Sequence, residues 1–178
     1  KGKRFNKKIL DIKHNDKNIF EVLNLTIEES LSFFKNKKSV IKKLKPLNDV
    51  GLGYLKLGQP SSTLSGGEAQ RLKLASYLVD ENKKSLQKTL FIFDEPTSGL
   101  HYSDISNFMK SIQKLISIGN SIIIIEHNID VIKQADWLID LGPGGGEDGG
   151  RICFSGYPKD IITKKGNKTG KYLKKIFV

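Results

Sequence analysis

Cysteine is almost absent. Cys153 is the single one in 178 residues, which excludes an internal disulfide and any cysteine-rich zinc site assembled within the chain. That scarcity fits a reducing, cytoplasmic setting. Arginine is nearly as rare: of 30 basic residues only Arg4, Arg71 and Arg151 are arginine, although arginine is the better bidentate reader of phosphates and base edges. Long apolar runs are missing too. Leu90–Phe93 and Ile122–Ile125 are four residues each, strand-sized and far short of the ~20 needed to cross a bilayer. No apolar stretch follows Lys1-Gly2-Lys3-Arg4, so a signal peptide is not expected. The chain starts without Met, which leaves room for sequence upstream. No internal repeat is visible, and the phosphate cradle G-x-x-x-x-G-K-[ST] does not occur.

The composition, 38% apolar and 28% charged, is that of a water-soluble globular protein. Its length suffices for one domain with a real core, or for part of a larger one. The net charge of +11 is unevenly spread. Residues 1–50 hold 13 basic and 6 acidic residues, 51–150 hold 9 and 12, and 151–178 hold 8 and 1. Both ends would attract a polyanion such as nucleic acid. An AT-rich coding sequence, with its excess of Lys, Ile and Asn, explains the lysines equally well.

Along the chain, residues 1–25 alternate polar and apolar positions and read as strand plus turn. Thr26 and Glu29 form a capping-box pair opening a helix through Leu31, Phe33 and Phe34. A second helix is expected over Val40–Asp49, then a loop with Gly51, Gly53, Gly58 and Pro60. Helix and strand then alternate: helix 66–78, strand 90–93, helix 103–117, strand 121–126 and a short helix over 129–134. In the helix over 103–117 the apolar residues Ile105, Phe108, Met109, Ile112, Leu115 and Ile116 mark one face, and Gly119-Asn120 stops it. Strands at 137–141 and 151–154 joined by a glycine-rich turn, and a last helix beginning near Pro158, complete the reading. Buried strands alternating with amphipathic helices indicate an α/β fold with a mostly parallel sheet flanked by helices.

Two stretches carry chemistry. LSGGEAQRLKLA (64–75) opens with Ser65 and Glu68 in capping-box spacing, with Leu72, Ala75 and Val79 expected toward the core. Gly66 and Gly67 expose backbone N–H groups where the helix dipole is positive, which suits an anion; an ordinary capped helix has the same pattern. LFIFDEPTSGLH (90–101) runs a buried strand into two carboxylates, Asp94 and Glu95, at its exposed end. Such a pair serves a nucleotide phosphate, one for magnesium and one for the attacking water; a solvated surface turn is the bland alternative. His127 follows the second strand and should emerge near those carboxylates. Gly144-x-Gly146-x-x-Gly149 fits a dinucleotide fingerprint, but a strand at 151–154 rather than a helix follows it, so a hairpin connection is expected. GNKTGKY (166–172) is one residue short of a P-loop, and Tyr172 stands where Ser or Thr would meet magnesium. Neither decoy is expected to bind nucleotide.

LSGGEAQR, FIFDEP and IIIIEH, in that order, resemble the signature, Walker B and switch-histidine motifs of ABC-type ATPases. LNDVGLGYLKLGQPSSTLSGGEAQRLKLA, DEPTSGLHYSDI and IEHNIDVIKQADWLIDLGPGGGEDGGRICFSG resemble more particularly the UvrA family, the damage-recognition subunits of the bacterial excinuclease, and the resemblance spans essentially the whole chain. It implies the C-terminal part of a second ABC ATPase domain whose P-loop strand lies outside these residues. Residues 1–50 would follow a zinc module, and residues 51–178 would carry the signature, Walker B and switch-histidine part. It implies ATP and Mg2+ as cofactors, Zn2+ only in the upstream part of the parent, Asp94 for the hydrated metal, and Glu95 and His127 as catalytic residues. Ser65, Gly66, Gly67, Glu68 and Gln70 would cap an ATP held by the other ATPase domain, and Ser98 and Gly99 would lie in the loop that couples the two sites. The implied partners are damaged double-stranded DNA, UvrB and a second copy of the parent, with no membrane. The segment alone, lacking Walker A, is expected to be inactive and to leave a sheet edge exposed. A piece of an ABC transporter ATPase and a non-enzymatic basic DNA-binding module are the competing readings.

Overall fold

The computed structural model describes residues 5–79, 88–142, 144 and 149–177. The chain forms two compact units, Lys1–Ile125 and Glu126–Val178.

The first unit begins with α1 (Lys7–Leu10), a two-residue hairpin of β1 (Lys13–His14) and β2 (Lys17–Asn18), and α2 (Ile19–Asn24). The strand-plus-turn expectation for residues 1–25 is therefore corrected to two short helices around a minimal hairpin. Asn15 and Asp16 take positive φ of 46° and 62°, the conformation of a tight hairpin turn. Side-chain caps decide the rest. Asn6 accepts from Ile9 N–H, and Asn18 with Glu21 completes a capping box, so polar side chains overrule the alternation. α3 (Ile27–Phe33) starts at the expected Thr26–Glu29 capping box, and α4 (Lys38–Asp49) follows.

The loop after α4 is unusually buried: Val50 and Leu52 are fully enclosed and Leu55 nearly so. Its backbone is tied to residues 23–28 through Ile27 N–H to Leu55 O (2.8 Å), Leu57 N–H to Leu25 O (3.0 Å) and Gly58 N–H to Leu23 O (2.8 Å). Gly51, at φ +77°, brings this loop against Leu100, where a Cβ would stand 2.6 Å from Leu100 Cδ2.

α5 (Gly66–Val79), β3 (Leu90–Asp94), α6 (Tyr102–Ser117) and β4 (Ser121–Ile125) match the expected order. β3 and β4 pair in parallel from Leu90↔Ser121 to Asp94↔Ile125, and among the described residues they pair only with each other. α4 packs against α3, α5 and α6. The α6 stripe Ile105, Phe108, Met109, Ile112 and Leu115 is buried, with Phe93 edge-on to Phe108 and Phe91 edge-on to Tyr77. α5 corrects one expectation. Its inner stripe is Arg71, Leu74 and Ala75, while Leu72 is 39% exposed, because the buried row runs through a charged residue and hydrophobicity alone points one position away. The opposite sheet face is open: Leu90, Ile92, Ile123 and Ile125 are each more than half exposed, which corrects the expectation of buried strands, since a parallel sheet normally buries both faces and this pair is covered on one.

The second unit contains α7 (Ile129–Ile132), an antiparallel pair of β5 (Leu138–Gly142) and β6 (Arg151–Gly156), and α8 (Lys168–Phe177). β6 is a strand, as the hairpin reading requires; its turn lies partly outside the described residues. Ile132, Phe154, Ile161 and Leu173 form the core. The helix expected near Pro158 is corrected to turns and a 3-10 turn at Ile161–Thr163, with α8 starting only at Lys168. The start is set by Asn167, whose Oδ1 accepts from Gly170 N–H (2.7 Å). Asn167 Nδ2 and Thr169 Oγ1 donate to the two oxygens of Asp140 (2.7 and 2.8 Å), which gives the GNKTGKY stretch a structural task. No helix among the described residues is long and apolar enough to cross a membrane.

Candidate functional site

The N-terminus of α5 is built by local chemistry. Ser65 N–H donates to Glu68 Oε2 (2.6 Å) and Glu68 N–H to Ser65 Oγ (3.3 Å), the reciprocal pair expected from the sequence. Ser65 and Gly66 are exposed, and the space beside Gly66 is open. Sequence reasoning missed Tyr54, whose hydroxyl donates to Glu68 Oε1 from the buried-loop side. That hydrogen bond, with the Ser65 N–H next, holds the Glu68 carboxyl below its ordinary value of 4.5, and the Arg71 charge adds to it. Burial pushes the Tyr54 hydroxyl above its ordinary value of 10, as do the bond to Glu68 and that carboxylate's charge, while the Arg71 guanidinium opposes the shift. A tyrosine eleven residues before Ser65 has no helical or strand spacing to betray this contact.

At the end of β3, Asp94 and Glu95 are both exposed, as the run of apolar residues into carboxylates implied. Glu95 N–H donates to Ile125 O (2.9 Å), extending the parallel ladder by one residue. Its φ is +46°, left-handed for a residue with a Cβ, a conformation that is uncommon and held by its surroundings. Here the turn supplies the hold. Glu95 O accepts from Ser98 N–H (3.1 Å), and Pro96 and Thr97 are buried beneath it. Ser98 and Gly99 are exposed, and Gly99 is at φ +75°.

Two side chains of α5 join the helix start to the carboxylates. Gln70 Oε1 accepts from Asp94 N–H (3.2 Å). Arg71 Nη1 donates to Pro96 O (2.6 Å) and Ser98 O (3.3 Å). Within the first unit the structure thus brings together Ser65, Gly66, Gly67, Glu68 and Gln70 on one side and Asp94, Glu95, Ser98 and Gly99 on the other. Arg71, which the sequence reading assigned to neither group, lies between them.

His127 belongs to the second unit, two residues past β4, and is exposed. Its backbone is fixed by Glu126, whose Oε2 accepts from His127 N–H (3.0 Å) and Asn128 N–H (3.1 Å); Asn128 in turn caps α7 through Asp130 N–H (2.9 Å). Among the described residues there is no group of three or more His, Cys, Asp or Glu able to hold a metal ion by itself. A cation at this site would be met by one carboxylate and by oxygens of a ligand, the way Mg2+ is commonly held beside nucleotide phosphates.

No family model matches the chain. It is 54% identical over 175 residues to UvrABC system protein A of Clostridium perfringens, covering 98% of this chain and 18% of that protein. To the protein of the same name in Aquifex aeolicus it is 51% identical over 175 residues, covering 98% and 19%. The crystal structure of UvrA2 from Deinococcus radiodurans superposes with a TM-score of 0.78 at 40% identity, covering 97% of this chain and 21% of that one. A bacterial Atm1-family ABC exporter with ATP bound matches at TM-score 0.50 and 20% identity, covering 88% and 27%, a likeness of fold alone. The chain spans about a fifth of the length of the curated relatives it matches.

Proposed function

The chain belongs to the UvrA family of ABC-type ATPases, and from that premise we propose that it forms the C-terminal part of the second ATPase domain of a DNA-repair protein that recognises damaged double-stranded DNA and loads UvrB. The observation that carries the ATP-site part of this reading is the tie between the Ser65–Gly67 helix start and the Asp94–Glu95 turn through Gln70 and Arg71. In this reading residues 1–50 follow a zinc module, and residues 51–178 contribute to two composite ATP sites. Ser65, Gly66, Gly67 and Gln70 cap an ATP held by the other domain, with the helix start supplying N–H donors, and Glu68 shapes that nucleotide-binding turn through Ser65. Asp94 offers a carboxylate to hydrated Mg2+, which would screen phosphate charge. Glu95 orients the attacking water and takes its proton, and His127 contacts the γ-phosphate. Ser98 and Gly99 line the loop between the two sites. The zinc belongs to the upstream part of the parent, and the parent works as a homodimer.

The relatives' shared name favours repair over transport, and lysine-rich ends are compatible with a polyanionic partner. The test is binding of the full-length protein to a duplex with and without a single lesion, across a salt series, with and without ATP. The repair reading predicts a preference for the lesion duplex that changes with nucleotide, because distortion is read through DNA shape and deformability. A transporter ATPase would show no lesion preference. A basic binding module would bind DNA with steep salt dependence and no nucleotide effect.

A further inference from the structure

Arg71 is 1% exposed, and no other charged residue is among the buried ones described. A guanidinium is costly to enclose, and an apolar side chain in the same stripe as Leu74 and Ala75 would fill the space without that cost. Among the described residues the guanidinium makes no ion pair in contact, although it reaches the Tyr54 hydroxyl and its charge favours the Glu68 carboxylate. Nη1 is divided between two main-chain carbonyls, Pro96 O and Ser98 O, twenty-five and twenty-seven residues along the chain. Nε has no hydrogen-bond partner among the described residues, so the side chain is placed for the loop and not for its own satisfaction. Gly67 makes room for it: a Cβ there would stand 3.3 Å from Nη1, 3.7 Å from Glu95 O and 3.9 Å from Ser98 O. The guanidinium is therefore sandwiched between the first turn of α5 and the turn that holds Glu95 in its left-handed conformation.

We infer that Arg71 is a positioning residue that makes the Ser65–Gly67 turn and the Glu95–Ser98 turn one rigid body, so that a ligand engaging the first turn fixes the geometry of the carboxylates at the second. This deepens the two-site reading above and rests on it. Arg71 does not touch substrate. It transmits the position of Gly67 to the carbonyls of residues 96 and 98, and through them to the Glu95 backbone. One nitrogen of a planar guanidinium directs its two N–H groups at fixed angles to the two carbonyls, whereas the donors of an ammonium rotate on a flexible stem.

The experiment is steady-state ATP hydrolysis by the full-length protein carrying Arg71→Met or Arg71→Lys, with Glu95→Gln as a control and thermal denaturation on every sample. Arg71→Met is expected to lower kcat on the order of 10–100-fold, as small misplacements of a catalytic group do, with KM for ATP changed less than about threefold and the denaturation midpoint nearly unchanged. Arg71→Lys should recover part of kcat. Wild-type kcat in folded Arg71→Met overturns the inference, as does a fall in kcat that only follows the loss of folded protein. If Arg71→Met does not fold, Arg71→Lys decides: a reduced kcat at unchanged KM supports the inference and wild-type kcat refutes it. Wild-type turnover by Glu95→Gln is a separate outcome, which removes the two-site reading on which the inference stands.

Discussion

The backbone N–H of Asp94 donates to the side-chain oxygen of Gln70 at 3.2 Å, so the last residue of β3 is tied to the second turn of α5. The side chain of Asp94 is left exposed at the strand end while its backbone is held. Replacing Gln70 by Ala removes one hydrogen bond, worth about 0.5–1.5 kcal/mol of stability. Turnover in the full-length protein should fall by more than that loss accounts for, because the Asp94–Glu95 turn loses its Gln70 tie to α5. Denaturation and kcat measured on the same preparation check it; a kcat loss no larger than the unfolded fraction explains would count against the tie.

The Tyr54–Glu68 contact gives a pH dependence with a definite sign. The Glu68 carboxyl is held low, so its contribution to stability is present above its ordinary value of 4.5 and is lost as pH falls through the lower folded value. The Tyr54 hydroxyl is pushed up, so its contribution is present below 10 and is lost as pH rises through the higher folded value. Tyr54→Phe should therefore differ from wild type in denaturation midpoint between about pH 5 and 9, and the two should converge in strong acid. A difference that is constant down to pH 2 would exclude the contact as its source.

Phe108 is fully buried on α6 and meets Phe93 of β3 edge-on, with ring centroids 6.4 Å apart. Phe108→Ala should cost about 3–5 kcal/mol, since both the transfer free energy and a cavity are involved. Denaturant unfolding of the full-length protein measures it, and a loss below about 1 kcal/mol would mean that the core collapses into the space.

On the open sheet face, Ile92 and Ile123 face each other across the parallel ladder at 63% and 51% exposure. A contiguous apolar face of this kind drives association, so the 178 residues expressed alone should self-associate. Ile92→Lys with Ile123→Thr should reduce that association in gel filtration. An unchanged elution profile would place the contact elsewhere.

Legibility in the sequence followed locality. The capping boxes at Thr26–Glu29 and Ser65–Glu68, the apolar stripe of α6 and the strands β3 and β4 are signals contained within a few residues, and each stands where it was read. Tyr54 on Glu68 and Arg71 on Pro96 depend on chain segments 14 and 25 residues apart, and no periodicity announces such contacts. Arg71 also hid the inner face of α5, because a buried guanidinium among Leu74 and Ala75 turns the apolar pattern toward Leu72. Near the ends of the chain, Asn6, Asn18 and Asn167 set helix starts that apolar alternation and Pro158 had not suggested.

In the proposed site Glu95, just past the end of β3, takes the proton of the water that attacks ATP once the remainder of the protein completes the site. The decisive comparison is single-turnover hydrolysis and ATP binding by the full-length protein and its Glu95→Gln variant. Binding is expected within about threefold of wild type, with hydrolysis slowed on the order of 10²–10⁴, the usual cost of losing a general base. Wild-type hydrolysis by Glu95→Gln would remove Glu95 from the base role.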